Sequence, residues 1–168
     1  MSIERRSMTT TIIAPFRGEH DHDQCLDEAL GKAEDSCRAQ GLRLTNIRRQ
    51  VLMLVWKSHK PQTAYDILEG LRAFGHKPAP PTAYRALDFL EQAKLIHRIE
   101  SLNAYIGCAV PEKRHTGQFF ICENCASVAE VQDTGVTRKV SKNAEELGFI
   151  PHNQTIEILG LCRDCSGN

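Results

Sequence analysis

Two pairs of cysteines, Cys122-Glu-Asn-Cys125 and Cys162-Arg-Asp-Cys165, constrain this chain more than any other feature. A two-residue gap lets both sulfurs of a pair face one ion from a tight turn. Two such pairs supply four thiolates, the donor set of a tetrahedral structural zinc. The first pair follows one predicted strand and the second ends another, so a single ion would tie two strand ends together. The 36 residues between the pairs exceed a short zinc-ribbon loop and should pack as a unit of their own. A core of only about 50 residues is marginal alone and usually needs a metal or a partner chain. A redox CxxC or buried free thiols are the competing readings. The chain has seven cysteines, and for a chain expected in the cytoplasm the two-residue gaps favour metal over a disulfide framework.

The rest of the chain divides by periodicity. Residues 1–22 show none and read as a flexible tail. Residues 24–40 carry a helical stripe of Leu26, Ala29, Leu30, Ala33 and Cys37, stopped at Gly41. Thr45 is placed to cap a second helix with Ile47, Val51, Leu52, Val55 and Trp56 inward, closed by Pro61. Thr63 would cap a third, with Ala64, Ile67, Leu68 and Leu71 inward. After a Gly75–Pro81 loop, Pro81 is pre-set for the first turn of a fourth helix, Thr82–Gln92. The period then changes to two through Leu95–Glu100. Ser101-Leu-Asn103 reads as a turn and Ala104–Cys108 as a returning strand. Helices followed by such a hairpin make a winged helix-turn-helix. Beyond a polar connector the order is strand (Gln118–Cys122), strand (Ser127–Val131), helix (Val136–Leu147), strand (Thr155–Leu161). The fold class is therefore α+β, with an N-terminal winged helix-turn-helix domain followed by a small α/β domain. The expected boundaries are tail 1–22, winged helix 23–108, hinge 109–117 and second domain 118–168.

Net charge is zero, but its distribution is uneven. Residues 1–37 carry 4 basic and 8 acidic side chains, residues 38–107 carry 11 and 5, and residues 108–168 carry 6 and 8. A middle segment at +6 between acidic flanks fits a nucleic-acid-facing module. No apolar run approaches the roughly 20 residues of a membrane span, and the N-terminus lacks an apolar leader core, so a cytoplasmic location is expected.

Four further residues, His97, Cys108, His115 and Glu130, offer nitrogen, sulfur and oxygen donors. No two of them share a tight motif. Each also reads as something ordinary: a polar wing residue, a small hydrophobe, a loop histidine, a strand-edge charge. His20, His22 and Cys25 near the N-terminus and His152 in a loop are additional donors whose part in a third metal site is open.

The run Pro81-Thr-Ala-Tyr-Arg-Ala-Leu87, then Leu95-Ile-His-Arg-Ile-Glu100, His115 and the two CxxC pairs together resemble the ferric uptake regulator family over residues 24–165. The resemblance implies a homodimer, one or two dimers per operator, that metal switches onto double-stranded operator DNA. No enzymatic activity is expected, since four protein ligands at each site would leave no open catalytic position. The resemblance places His97, Cys108, His115 and Glu130 on the sensing site of the zinc-type members. Cys122, Cys125, Cys162 and Cys165 fall on the structural site, giving two zinc ions per subunit. A soft thiolate in a mixed set agrees with zinc rather than iron(II). The family's His-His-x-His run is absent, since His115-Thr-Gly-Gln keeps one histidine. The resemblance also puts Tyr65 and Arg85 at DNA, where arginine suits bidentate contact to guanine. Glu69 and Arg72 lie near positions of dimer-dimer contact, Glu69 being one methylene longer than the aspartate expected there. The function implied is a zinc-responsive repressor of zinc uptake genes. The alternatives are an iron or peroxide sensor of the same family and a zinc-stapled interaction module without DNA binding.

Overall fold

A computed structural model describes residues 10–16, 22–58, 60–77, 79–111 and 115–167. The first half is helical. Helix α1 (His22–Ala39) ends in a Schellman closure: the Leu42 amide bonds the Cys37 carbonyl at 2.8 Å and Gly41 sits at φ +66°. Helix α2 (Asn46–Trp56) follows an extended Thr45 whose hydroxyl makes no cap bond. A two-residue strand β2 (Gln62–Thr63) leads into α3 (Ala64–Ala73). Here Thr63 and Asp66 form a complete capping box, each side chain bonding the other's backbone amide. Helix α4 (Pro80–Gln92) begins one residue before the expected proline, because a proline in the first turn loses no hydrogen bond. The inward stripes of the four helices meet in one core with Leu30, Leu52, Ile67, Leu71, Leu87 and Leu90 at its centre.

The wing is β3 (Ile96–Ile99), a 3-10 turn (Glu100–Leu102), Asn103 in the left-handed region, and β4 (Ala104–Gly107). Its register is His97↔Ile106 and Ile99↔Ala104, and β2 pairs on the far side of β4. Gly107 allows the Trp56 indole to lie against the strand, where any Cβ would collide with the ring.

The second domain is a four-stranded sheet ordered β1-β6-β5-β7, built from β5 (Gly117–Cys122), β6 (Val128–Asp133) and β7 (Thr155–Gly160), with α5 (Thr134–Glu146) between β6 and β7. A short α6 (Arg163–Ser166) carries the last cysteine. Strand β5 runs antiparallel to β6 and parallel to β7.

The expectation of a flexible tail over 1–22 is corrected for the residues described. Thr10–Ala14 is strand β1, paired antiparallel with β6 from Thr10↔Asp133 to Ala14↔Glu130. Thr-Thr-Ile-Ile-Ala is β-prone, but it is too short to read as a strand until β6 offers it an unpaired edge. His22 opens α1 rather than ending a tail.

The wing connects the two domains. Ile99, Leu102 and Ile106 from the wing pack with Phe119, Ile121 and Val128 from the sheet in a second apolar cluster. The face of β5 and β6 that holds this cluster also holds Glu130, because directly paired residues project to the same side.

Candidate metal centres and DNA-facing surface

The four cysteines of the CxxC pairs converge. Their sulfurs all lie within 4.8 Å of one another, and Cys125 Sγ is 3.8 Å from Cys162 Sγ. Zn–S bonds of about 2.3 Å in a tetrahedron would set sulfurs about 3.8 Å apart. Each pair is folded back by its own backbone. The Ala126 amide bonds the Cys122 carbonyl at 2.9 Å, and the Cys165 amide bonds the Cys162 carbonyl at 3.0 Å. The parallel β5–β7 pairing brings Cys122 opposite Gly160 and so delivers the second pair to the first. Hydrogen bonds from the Ser127 hydroxyl and amide draw the Cys125 thiol down to about 6. Backbone amides, that of Cys162 foremost, hold Cys122 below the usual thiol range. The Asn124 side chain favours the Cys165 thiolate, but Cys162, burial and the other cysteines push it up to about 12. Four sulfurs gathered this closely are the donor set of a structural zinc site.

The second set forms at the joint between wing and sheet. His97 lies on β3, Cys108 just beyond β4, His115 before β5 and Glu130 on β6. The Cys108 amide bonds the Leu95 carbonyl at 3.0 Å, which continues the hairpin ladder and puts Cys108 on the same face as His97. His97 Nε2 and His115 Nε2 are 3.3 Å apart, Cys108 Sγ is 3.7 Å from His115 Nε2, and Glu130 Oε1 is 2.8 Å from His115 Nε2 and 3.4 Å from His97 Nε2. Zn–N bonds of about 2.0–2.1 Å in a tetrahedron would set nitrogens about 3.3 Å apart. Glu130 is 2% exposed, and its Oε1 has no properly oriented hydrogen bond despite the nearby imidazoles. A carboxylate so buried needs a cation or a full set of donors. Burial pushes the Cys108 thiol up, but hydrogen bonds with His115 and His97 outweigh it and hold the thiol below its usual range. Converging lone pairs, a stabilised thiolate and an orphaned buried oxygen are the features of a metal site.

Among the described residues the four cysteines and the trio His97, Cys108 and His115 are the groups of three or more donors lying within 4.8 Å of one another, Glu130 meeting the trio at its two histidines, and His152, exposed in its loop, joins neither. His20 and the side chain of His22 lie outside the described residues. Cys25 is half-buried on α1.

The DNA-facing candidates lie on helices α3 and α4 of the helical domain. Tyr65, in the first turn of α3, is 68% exposed, and Arg85 is exposed on α4. Glu69 and Arg72 pair with each other along α3, both about half exposed. One polar contact across the domain joint was not anticipated: Glu157 on β7 accepts two backbone amides of the wing turn. A lone glutamate in a strand carries no sequence signal for such a role.

Residues 39–159 match the model of the ferric uptake regulator family. The chain is 38% identical over 139 residues to the zinc uptake regulation protein of Escherichia coli strain K12, covering 82% of this chain and 81% of that one. A zinc uptake regulator solved with zinc and DNA superposes at a TM-score of 0.81, with 37% identity over 84% of this chain and 95% of that one. A protein described as XcZur superposes at 0.78 in its holo form and 0.51 in its apo form. The two forms share 40% and 38% identity with this chain, over 84% and 85% of its length and 99% of theirs.

Proposed function

The chain belongs to the ferric uptake regulator family, and we propose that it is a zinc-responsive, DNA-binding transcriptional repressor acting as a homodimer on zinc uptake genes. The observation that carries this reading is the convergence of His97, Cys108, His115 and Glu130 at the wing–sheet joint. Three of those side chains come from the wing and hinge and one from the sheet, so whatever holds all four fixes one domain against the other. The likeness to the holo form of XcZur over its apo form, at nearly equal identity, supports the described arrangement as the metal-held one.

Zinc at the joint would supply a cation with no redox chemistry and a tetrahedral preference. His97 and Cys108 then anchor the wing, Glu130 anchors the sheet, and His115 orders the connector. The second zinc, held by Cys122, Cys125, Cys162 and Cys165, ties the ends of β5 and β7 and belongs to folding, giving two per chain. Recognition falls to α4, where Arg85 can reach guanine O6 and N7, and to Tyr65 at a base edge or phosphate. Dimerisation is assigned to the second domain. Val136 and Val140 on α5, and Leu147, Phe149, Ile150 and Leu159 beyond it, are all exposed apolar groups that a single chain leaves in water. Where two dimers share an operator, Glu69 and Arg72 would exchange their partner within α3 for one across the dimers.

Only a dimer whose two recognition helices are fixed about 34–36 Å apart, or a multiple, fits successive major grooves. A ligand shifts that equilibrium only by binding the fitting state better. A coupling of about 2–3 kcal/mol corresponds to about 30- to 150-fold tighter DNA binding. The test is binding to a duplex enriched from a random-sequence pool by the zinc-loaded protein, measured across buffered free zinc with the four-cysteine zinc retained. A rise within that range is expected. Equal binding at all zinc levels would remove the sensing assignment.

A further inference from the structure

Glu157 belongs to neither donor set, yet it bridges the same joint. Its Oε1 accepts the Glu100 amide at 2.7 Å and its Oε2 accepts the Ser101 amide at 3.0 Å. These two amides open the 3-10 turn at the wing tip and have no carbonyl within the turn to receive them. Burial pushes the Glu157 carboxyl up, but hydrogen bonds from Ser101 and from the Glu100 amide outweigh it and hold the carboxyl below its usual range.

The strand register explains the placement. Glu130 on β6 pairs with Phe119 on β5, and Phe119 pairs with Glu157 on β7. The three side chains therefore form one row across the face that meets the wing. Two strand spacings of about 4.8 Å put the carboxylates about 10 Å apart, and three residues of strand from His97 to Glu100 cover about 10 Å. The wing lies along that row. Its base reaches Glu130 through His97, and its tip reaches Glu157. Between them, the Phe119 ring is 5.1 Å from that of His97. One fastening leaves the wing free to swivel about it, whereas two set its direction.

We propose that Glu157 is a positioning residue for the DNA-competent arrangement, a metal-independent fastening that holds the wing tip while zinc closes the base. The proposal rests on the zinc-responsive reading above. A carboxylate suits the task because its two oxygens accept both amides at once. Glutamine keeps one acceptor and turns a second donor toward an amide that is itself a donor. Since zinc and DNA both select the closed joint, removing the fastening weakens both through the smaller closed population. Loss of one hydrogen bond to a charged group corresponds to about a ten-fold change.

The experiment uses the full chain with its four-cysteine zinc in place, comparing wild type with Glu157→Gln and Glu157→Ala. Three quantities are read: hydrogen exchange of the Glu100 and Ser101 amides without added zinc, zinc affinity of the joint by chelator competition, and binding to the selected duplex at half-saturating zinc. Faster exchange at those two amides is expected, with about ten-fold weaker zinc affinity, a matching loss of DNA binding and an unchanged four-cysteine zinc content. Unchanged exchange and zinc affinity in both variants would overturn the proposal. So would loss of the fold in both, since Glu157 would then be a folding residue and not a positioning one. If wild type itself fails to respond to zinc, the functional reading falls; if wild type responds and the variants match it, only the fastening falls.

Discussion

The four-cysteine cluster and the mixed cluster at the wing–sheet joint differ first in where the chain places their members. The four cysteines sit at the ends of neighbouring strands in one small domain, each pair closed by its own turn. The mixed set draws one residue each from β3, the end of the wing, the connector and β6. A cluster that is local in space and confined to one domain stabilises that domain. A cluster that spans a joint selects between arrangements of parts that are each already folded. The helical domain has a core of its own around Leu52, Leu71 and Leu87, whereas the sheet buries few large side chains besides Phe119 and Ile121. That contrast is the physical reason to expect a staple in the second domain.

The largest effect is therefore expected at the staple. Cys122→Ser or Cys162→Ser should collapse the second domain or the dimer, read by circular dichroism and light scattering. A folded dimer lacking that zinc would erase the contrast between the clusters. Cys108→Ser should do less, since the serine hydroxyl stays protonated at neutral pH where the thiol ionises. It should leave a folded dimer with its four-cysteine zinc, lose one zinc per chain, and forfeit most of the roughly 30- to 150-fold zinc response in DNA binding. Metal content read alongside duplex affinity decides it.

Much of this division was legible in the residues, though unevenly. The CxxC pairs announce themselves because both ligands of a pair share one turn. The helical stripes of α1–α4 follow a period that no local feature contradicts, and the Thr63 cap met its partner in Asp66. The joint cluster was not legible from spacing. Its members lie on four separate pieces of chain, and only resemblance to a family grouped them. Strand β1 was missed because its stability comes from β6, more than a hundred residues away. Helix α6 and strand β2 are too short to leave a periodic trace.

Smaller effects sharpen the contrast from the helical side. Arg85→Ala should lose about 1–3 kcal/mol of discrimination between the selected duplex and a scrambled one at fixed salt, with its non-specific affinity reduced less. Equal weakening on both would make Arg85 a phosphate contact. Thr63→Ala removes half of the capping box on α3 and should cost about 1 kcal/mol. Its thermal transition should fall by about 4–8 °C if the helical domain unfolds as its own unit. Metal content should stay untouched, which a melt paired with a zinc assay would establish.

The central claim is that zinc at the joint sets the orientation of the two domains without being needed to fold either. Small-angle X-ray scattering of the dimer tests it most directly, starting from protein that holds only its four-cysteine zinc and adding zinc stepwise. The account predicts that the scattering profile shifts to the compact arrangement described here and stops changing at one added zinc per chain. Uptake of that zinc with no change in the profile would contradict it.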